Sequence, residues 1–181
     1  MLDPFILYGK GNNMNTDMSN MLRKASRHHM HTIWEHAKEN DLDNLDEEER
    51  QLARIMLEHE DEFFNQFEFS DVLDDYSYDP ETEVNPFLHI IVHSAIENQL
   101  RAKDPIEANQ FYNSMRKKKV THHDTIHIIG SIFLPLLFHT LKQKTEFDVA
   151  LYQHLLKLYK DKKPEKISFA LDRDLGFLFS E

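Results

Sequence analysis

Two histidine pairs with the same spacing are the residues of this sequence best suited to chemistry. His89 and His93 form one pair, and His123 and His127 form the other. Residues four apart on an α-helix lie on one face, so both imidazoles of a pair can reach one metal ion. Two such pairs would supply four nitrogen ligands, which suits tetrahedral zinc or part of an octahedral site for iron, nickel or manganese.

Two further side chains are candidates to complete this site. Glu97 lies one helical turn beyond His93, and His59 falls on the apolar stripe of another predicted helix. We treat both as reserve ligands or as groups that orient the ligands. The predicted metal site therefore has six members, with zinc or iron as the first candidates for the ion: His89, His93, His123, His127, His59 and Glu97.

Other interpretations of the histidines, and of the chemistry, stay open. The histidines would be structural if they formed a hydrogen-bonded polar core. They would form no common site if they were scattered over the surface. An ion with a coordination position open to water could support hydrolysis, with Asp124 and Glu62 as acid–base partners. No reaction is fixed by the sequence, so Asp124 and Glu62 are candidates only for the case of an open metal site.

Several kinds of enzyme are disfavoured by composition. The chain has no cysteine, which removes disulfides, iron–sulfur clusters and cysteine nucleophiles. It has only 4 glycines and lacks glycine-rich phosphate loops, so ATP and NAD are not expected as cofactors. A Gly-x-Ser-x-Gly nucleophile elbow is also missing from the sequence.

The elements that must position the histidines are predicted to be helices. Apolar residues recur at helical spacing, strand-type alternation is rare, and 40% of residues are hydrophobic. We predict an all-α bundle of five or six helices in a single domain at residues 20–161, with a flexible extension at 1–19 and a tail with an apolar end at 162–181. The predicted helices are approximately residues 20–38, 46–63, 86–102, 105–118, 122–142 and 146–160.

Charge and the terminal sequences guide the expected partners and location. The formal net charge is −11, which argues against nucleic acid as a partner. The basic run at residues 116–119 is interpreted as a helix end. The apolar stretch at 126–141 is interrupted by histidines, a glycine and a proline, and we expect it to fall short of a membrane span. The N-terminus lacks the pattern of a secretory signal, so the expected location is the cytoplasm.

A second function hypothesis needs no metal. The acidic surface, the aromatic loop around Tyr76 and Tyr78, and the apolar C-terminal tail would then serve a protein partner or a homo-oligomer. The histidines would form a structural polar core in that case. Stoichiometric metal distinguishes the two hypotheses, because only the first requires it.

The sequence around the first pair resembles a known family. Residues 85–89 read Asn-Pro-Phe-Leu-His, and His93 and Glu97 follow. This stretch resembles the hallmark of the bacterial domain-of-unknown-function 1841 family. The resemblance covers approximately residues 33–159 and includes these further positions: Trp34, Glu58, His59, Asp104, Pro105, His123, His127 and Tyr152.

The resemblance implies a small cytosolic bacterial protein with a helical fold and no established activity. It implies that the histidines belong to the family's pattern, without saying what they bind. The family pattern has glutamates at the positions of Ser131 and Pro135, and neither residue is a carboxylate here. This departure argues against a two-metal centre and leaves a one-metal, histidine-rich site.

Overall fold

A computed structural model describes residues 16–79 and 82–176 of the chain. This described part contains eight α-helices, a short 3₁₀ turn at Pro164–Lys166 and no strand. The all-α prediction is therefore confirmed, whereas the count of five or six helices is too low. The helices are α1 Thr16–Lys38, α2 Glu47–Glu58, α3 Glu60–Glu68, α4 Pro86–Ala102, α5 Ile106–Lys117, α6 His122–Gln143, α7 Val149–Tyr159 and α8 Ile167–Leu175.

The described chain divides into two compact units, which we call the first and second units. The first unit comprises residues 16–94, and the second comprises residues 95–176. The boundary falls inside α4, between Ser94 and Ala95, so each unit receives part of that helix.

The first unit is built on the packing of α1 against α2 and α3. Trp34 is fully buried, and its ring packs against Phe67 with ring centroids 5.4 Å apart. Its indole Nε1 donates a hydrogen bond of 2.8 Å to Glu68 Oε2, which Lys38 Nζ also contacts at 2.6 Å. A buried indole needs such an acceptor, so Glu68 fixes the orientation of the largest core side chain.

The predicted helix at 46–63 is broken in two at His59. Its N-terminus is a capping box between Asp46 and Glu49. At His59 the backbone leaves the helical region, with φ −111° and ψ 14°. The His59 ring Nδ1 bonds to the carbonyl of Ile55 at 2.8 Å, and the His59 N–H bonds to Met56 instead. The ring thus takes the carbonyl that a continuing α-helix would have given to the His59 N–H.

The second unit packs α5 against α6 and α7, and α6 against α8. Its α7 begins three residues later than the predicted start at residue 146, because Asp148 is the residue whose side chain accepts the N–H of Leu151. Tyr152 in α7 is buried, and its hydroxyl donates to Gln99 at 2.8 Å. The interior of this unit is therefore mostly apolar, with tyrosine hydroxyls bonded at its margins.

Most of the predicted C-terminal tail is helical. In α8, Ile167, Ala170, Leu171 and Leu175 are buried, so this segment contributes to the core of the second unit. The rest of the predicted apolar end, residues 177–179, lies outside the described residues, as do residues 1–15 of the predicted extension. The helix α1 begins at Thr16, within that predicted extension.

Of the described helices, α6 alone is long and apolar enough to cross a membrane by length and composition. We expected residues 126–141 to fall short of a membrane span, but the longer helix α6 that contains them does not. Of its most apolar 18-residue window, 44% is buried. Buried core helices of soluble proteins can have the same length and composition, so the finding fits a soluble protein.

Candidate metal site

Three buried histidines lie ring against ring in the first unit. His59, His89 and His93 are each at most 2% exposed. The ring centroids are 4.6 Å apart between His59 and His89, 4.6 Å between His59 and His93, and 4.7 Å between His89 and His93. We call these three residues the histidine cluster.

The start of α4 positions two members of the cluster. The side-chain oxygen of Asn85 accepts the N–H groups of Phe87 and Leu88 at 3.1 and 3.2 Å, as an N-cap does. His89 then lies in the first turn of α4, and His93 lies one turn later on the same face. Their rings are nearly parallel, with an interplanar angle of 21°, so the two imidazoles lie together on that face of α4.

His59 reaches the cluster from the break between α2 and α3. Because its Nδ1 donates to the carbonyl of Ile55, its Nε2 is the nitrogen left with a lone pair in the neutral ring. That Nε2 lies 2.9 Å from His89 Nε2. Metal-binding histidines are oriented in this way, with one ring nitrogen on a backbone carbonyl and the other directed at the ion. His59, predicted as a reserve ligand, is thus central to the cluster.

The aromatic surroundings of the cluster hold the rings and exclude water. Phe63 stacks on His59 with an interplanar angle of 13°, and its centroid lies 5.3 Å from that of His89. His59 and His93 each offer a ring nitrogen within 4.8 Å of the other. Zinc with nitrogen ligands at about 2.0–2.1 Å needs donors about 3.3 Å apart, so small side-chain rotations would bring these nitrogens to one ion.

The second predicted pair lies in the first two turns of α6, in the second unit. The rings of His123 and His127 have centroids 4.3 Å apart, and each offers a nitrogen within 4.8 Å of the other. Both side chains are partly buried. The helix start is fixed by Thr121, whose hydroxyl oxygen accepts the N–H of Asp124 at 3.0 Å. This pair therefore also has the geometry that the four-residue spacing predicted.

Glu97, the other reserve ligand, is engaged with a different histidine. Its Oε1 lies 3.6 Å from His122 Nε2, and the opposite ring nitrogen of His122 lies 2.8 Å from the hydroxyl of Tyr112. Glu97, His122 and Tyr112 therefore form a polar chain at the surface of the second unit. The side chain of Glu97 thus pairs with a histidine outside the two predicted pairs.

The two carboxylates named as acid–base partners are placed as surface and capping residues. Glu62 is exposed on α3. Asp124 is exposed and accepts a 2.6 Å hydrogen bond from the hydroxyl of Thr121, within the cap of α6. Neither placement indicates a catalytic role.

Histidines of α1 lie outside the cluster and pair with carboxylates. His28 Nε2 is 3.4 Å from Asp74, and His36 Nδ1 is 3.2 Å from Asp41. Ion pairs of this kind at the surface are ordinary solvated contacts. The signal that separates them from His59 is local: His59 lies on an apolar stripe, whereas the α1 histidines are spread over several faces.

Comparison with known proteins adds a family match. A family model described as "Domain of unknown function (DUF1841)" matches residues 22–158. The matched range includes the histidine cluster, the pair on α6 and Glu97. No curated protein and no solved structure matches the chain.

Proposed function

We propose that this chain, which belongs to the domain-of-unknown-function 1841 family, binds one divalent transition-metal ion. The proposed ligands are imidazole nitrogens of His59, His93, His123 and His127. Zinc or iron is the first candidate for the ion. His89 and Glu97 are the proposed neighbours of the ion that orient its ligands or replace one of them.

The observation that carries the proposal is the histidine cluster of the first unit. Three imidazoles are buried together against apolar and aromatic side chains, where polar groups are costly unless each finds a partner. The hydrogen bond from His59 Nδ1 to Ile55 leaves Nε2 as a preset ligand atom. A metal ion would take the lone pairs of imidazole nitrogens in this cluster as its ligands.

The pair on α6 supports the proposal from the second unit. His123 and His127 present two nitrogens at a separation that fits one ion after small rotations. That both pairs serve the same ion is the part of the proposal that rests on the sequence, in which two His-x-x-x-His pairs supply four nitrogen ligands. A full shell of four imidazoles is a closed tetrahedral site, and replacing one by water would open it for chemistry.

A second candidate function rests on one specific distance. The 2.9 Å separation of His59 Nε2 and His89 Nε2 is a hydrogen-bond distance. If His89 carries its proton on Nε2, the two rings satisfy one another without a metal. The cluster would then be a polar core, and the protein would be an interaction module.

Composition extends the proposal to location and partners. The absence of cysteine and the net charge of −11 suit a reducing cytoplasm and disfavour nucleic acid as a partner. We place the protein in the bacterial cytoplasm, with a protein partner or a second copy as its binding partner.

Elemental analysis of the purified, untagged protein tests the proposal. We expect about one zinc or iron per chain, almost completely lost in His59→Ala/His93→Ala and in His123→Ala/His127→Ala. The matched control is His28→Ala/His29→Ala, which removes two exposed histidines and should keep the metal. Circular dichroism establishes that each variant is folded.

The alternatives give different stoichiometries in the same experiment. Two ions in the wild type, of which each double variant keeps one, would mean separate sites on the two pairs. No metal in any protein, with a melting temperature that neither zinc nor chelator changes, would leave the polar core as the better account.

A further inference from the structure

An open apolar groove lies on the first unit, beside α3. It has a volume of about 490 Å³ and is lined by aromatic and aliphatic side chains. The main apolar lining residues are Phe63, Phe69, Leu73, Tyr76, Tyr78 and Val84. Phe69 and Leu73 are half exposed, and Val72 beside them is 72% exposed. Contiguous exposed apolar surface of this kind marks interaction sites.

The surroundings of the groove are strongly acidic. Residues 68–83 contain seven acidic residues and no lysine or arginine. Three cations of α1 reach this segment: Lys24 pairs with Asp74 and Asp75, Lys38 pairs with Glu68, and Arg27 donates to two of its carbonyls. An acidic excess remains after these pairs. The occupant that fits is therefore an apolar anchor flanked by cations.

The second unit carries a surface of that description on α8. Phe169 is 75% exposed, the largest exposure of any aromatic side chain among the described residues. Lys163 and Lys166 lie just before it in the chain, are exposed, and form no ion pair with a carboxylate of the described residues. Lys166 immediately precedes α8 and is three residues from Phe169, so a cation and an exposed aromatic ring both lie at the start of α8.

Further cations surround this surface. Lys118 Nζ donates to the carbonyl oxygens of Lys160 and Lys162 at 2.5 and 2.7 Å, which brings the basic run at 116–119 to the residues preceding α8. Residues 116–119 and 160–166 together contain eight basic residues and only two acidic ones, Asp161 and Glu165. The net charge of −11 is therefore unevenly distributed along the chain. Residues 16–94 are predominantly acidic, and residues 95–176 have more basic than acidic side chains.

We propose that the groove of one copy receives Phe169 of a second copy, with the basic surface around α8 facing the acidic segment at 68–83. The contact joins different surfaces of the two molecules, so reciprocal contacts would close a dimer and single contacts would form chains. Aromatic side chains inserted in a pocket and surrounded by charges are typical of the residues that dominate binding energy. This inference does not depend on the proposed metal site.

Sedimentation velocity in a chelating buffer tests the contact, because chelation removes any bridging of copies by metal. We expect the wild type to self-associate at low ionic strength and to dissociate as salt screens the charges. Phe169→Asp and Leu73→Asp should each weaken association about tenfold or more. Ile106→Asp is the matched control, since Ile106 is half exposed, does not line the groove and lies outside the basic segments, and it should associate as the wild type does.

Mixing the two variants gives the decisive result. Phe169→Asp retains an intact groove and Leu73→Asp retains Phe169, so their mixture should associate more strongly than either variant does alone. A monomeric wild type at all concentrations, undiminished association of either single variant, or a mixture that stays monomeric would overturn the proposal. A monomeric wild type whose groove binds a leucine–lysine model helix would assign the groove to a foreign basic helix instead.

Discussion

The guanidinium carbon of Arg27 lies 4.4 Å from the ring centroid of Phe87, two residues before His89 in the chain. The same guanidinium donates hydrogen bonds to the carbonyls of Leu73 and Tyr76, at 3.1 and 3.0 Å. Arg27 thus connects α1 to the groove segment and to the start of the helix that carries the histidine pair. Burial lowers its pKa, yet an arginine stays charged at any physiological pH.

Arg27→Lys should destabilise the protein by about 2–3 kcal/mol, because a lysine cannot keep two forked hydrogen bonds and stack on a ring at once. Chemical denaturation monitored by circular dichroism measures this loss. Arg54→Lys is the control, since Arg54 is exposed, and it should change stability by less than about 0.5 kcal/mol. Equal stability of the two variants would mean that Arg27 does not hold the groove segment.

Metal binding should stabilise the fold. An ion that binds the native state alone adds about 2.7 kcal/mol to the free energy of unfolding when its free concentration is ~100 times Kd. We expect the melting temperature to rise with zinc in the wild type and to be unaffected by zinc in His59→Ala/His93→Ala. A rise of equal size in that variant would place the zinc on other residues.

Local signals predicted the helix that carries the first histidine pair. Asn85-Pro86 is an N-cap followed by a proline in the first helical position, and α4 begins there because both effects act within a few residues. The spacing of His89 and His93 then determined that their rings would lie together. This part of the candidate site could be read from sequence because it depends on one helix alone.

The break at His59 and the helix α8 could not be predicted from the sequence in this way. The apolar stripe of α2 continues through His59, so periodicity gives no sign that the ring takes the carbonyl of Ile55. In α8, the apolar residues are interspersed with charged ones, and the helix is stabilised by burial of Ile167 and Leu171 in the second unit. Both features depend on contacts made after the chain has folded.

Acid should weaken the first unit through Glu68. Its pKa is held below the usual value, first by the hydrogen bond from Lys38 and then by that from Trp34. A carboxyl with a lowered pKa in the folded state contributes stability that is present above its unfolded pKa and is lost as pH falls through the folded pKa. Between pH 7 and strongly acidic conditions, the wild type should therefore lose more stability than Glu68→Gln does. Denaturation across this pH range measures the difference, and Glu48→Gln, at an exposed position, should follow the wild type.

Leu171→Ala tests whether α8 is part of the core of the second unit. Leu171 is 5% exposed, and truncating a buried leucine costs about 2–5 kcal/mol through lost apolar contact and the cavity left behind. The matched control is Leu158→Ala on α7, where the side chain is 44% exposed and the expected loss is smaller than about 1 kcal/mol. Denaturation at a low protein concentration keeps any self-association through α8 out of the measurement. If the two variants lose equal stability, α8 is a peripheral attachment to the second unit, whereas a larger loss in Leu171→Ala means that the segment predicted as a tail helps to hold the unit together.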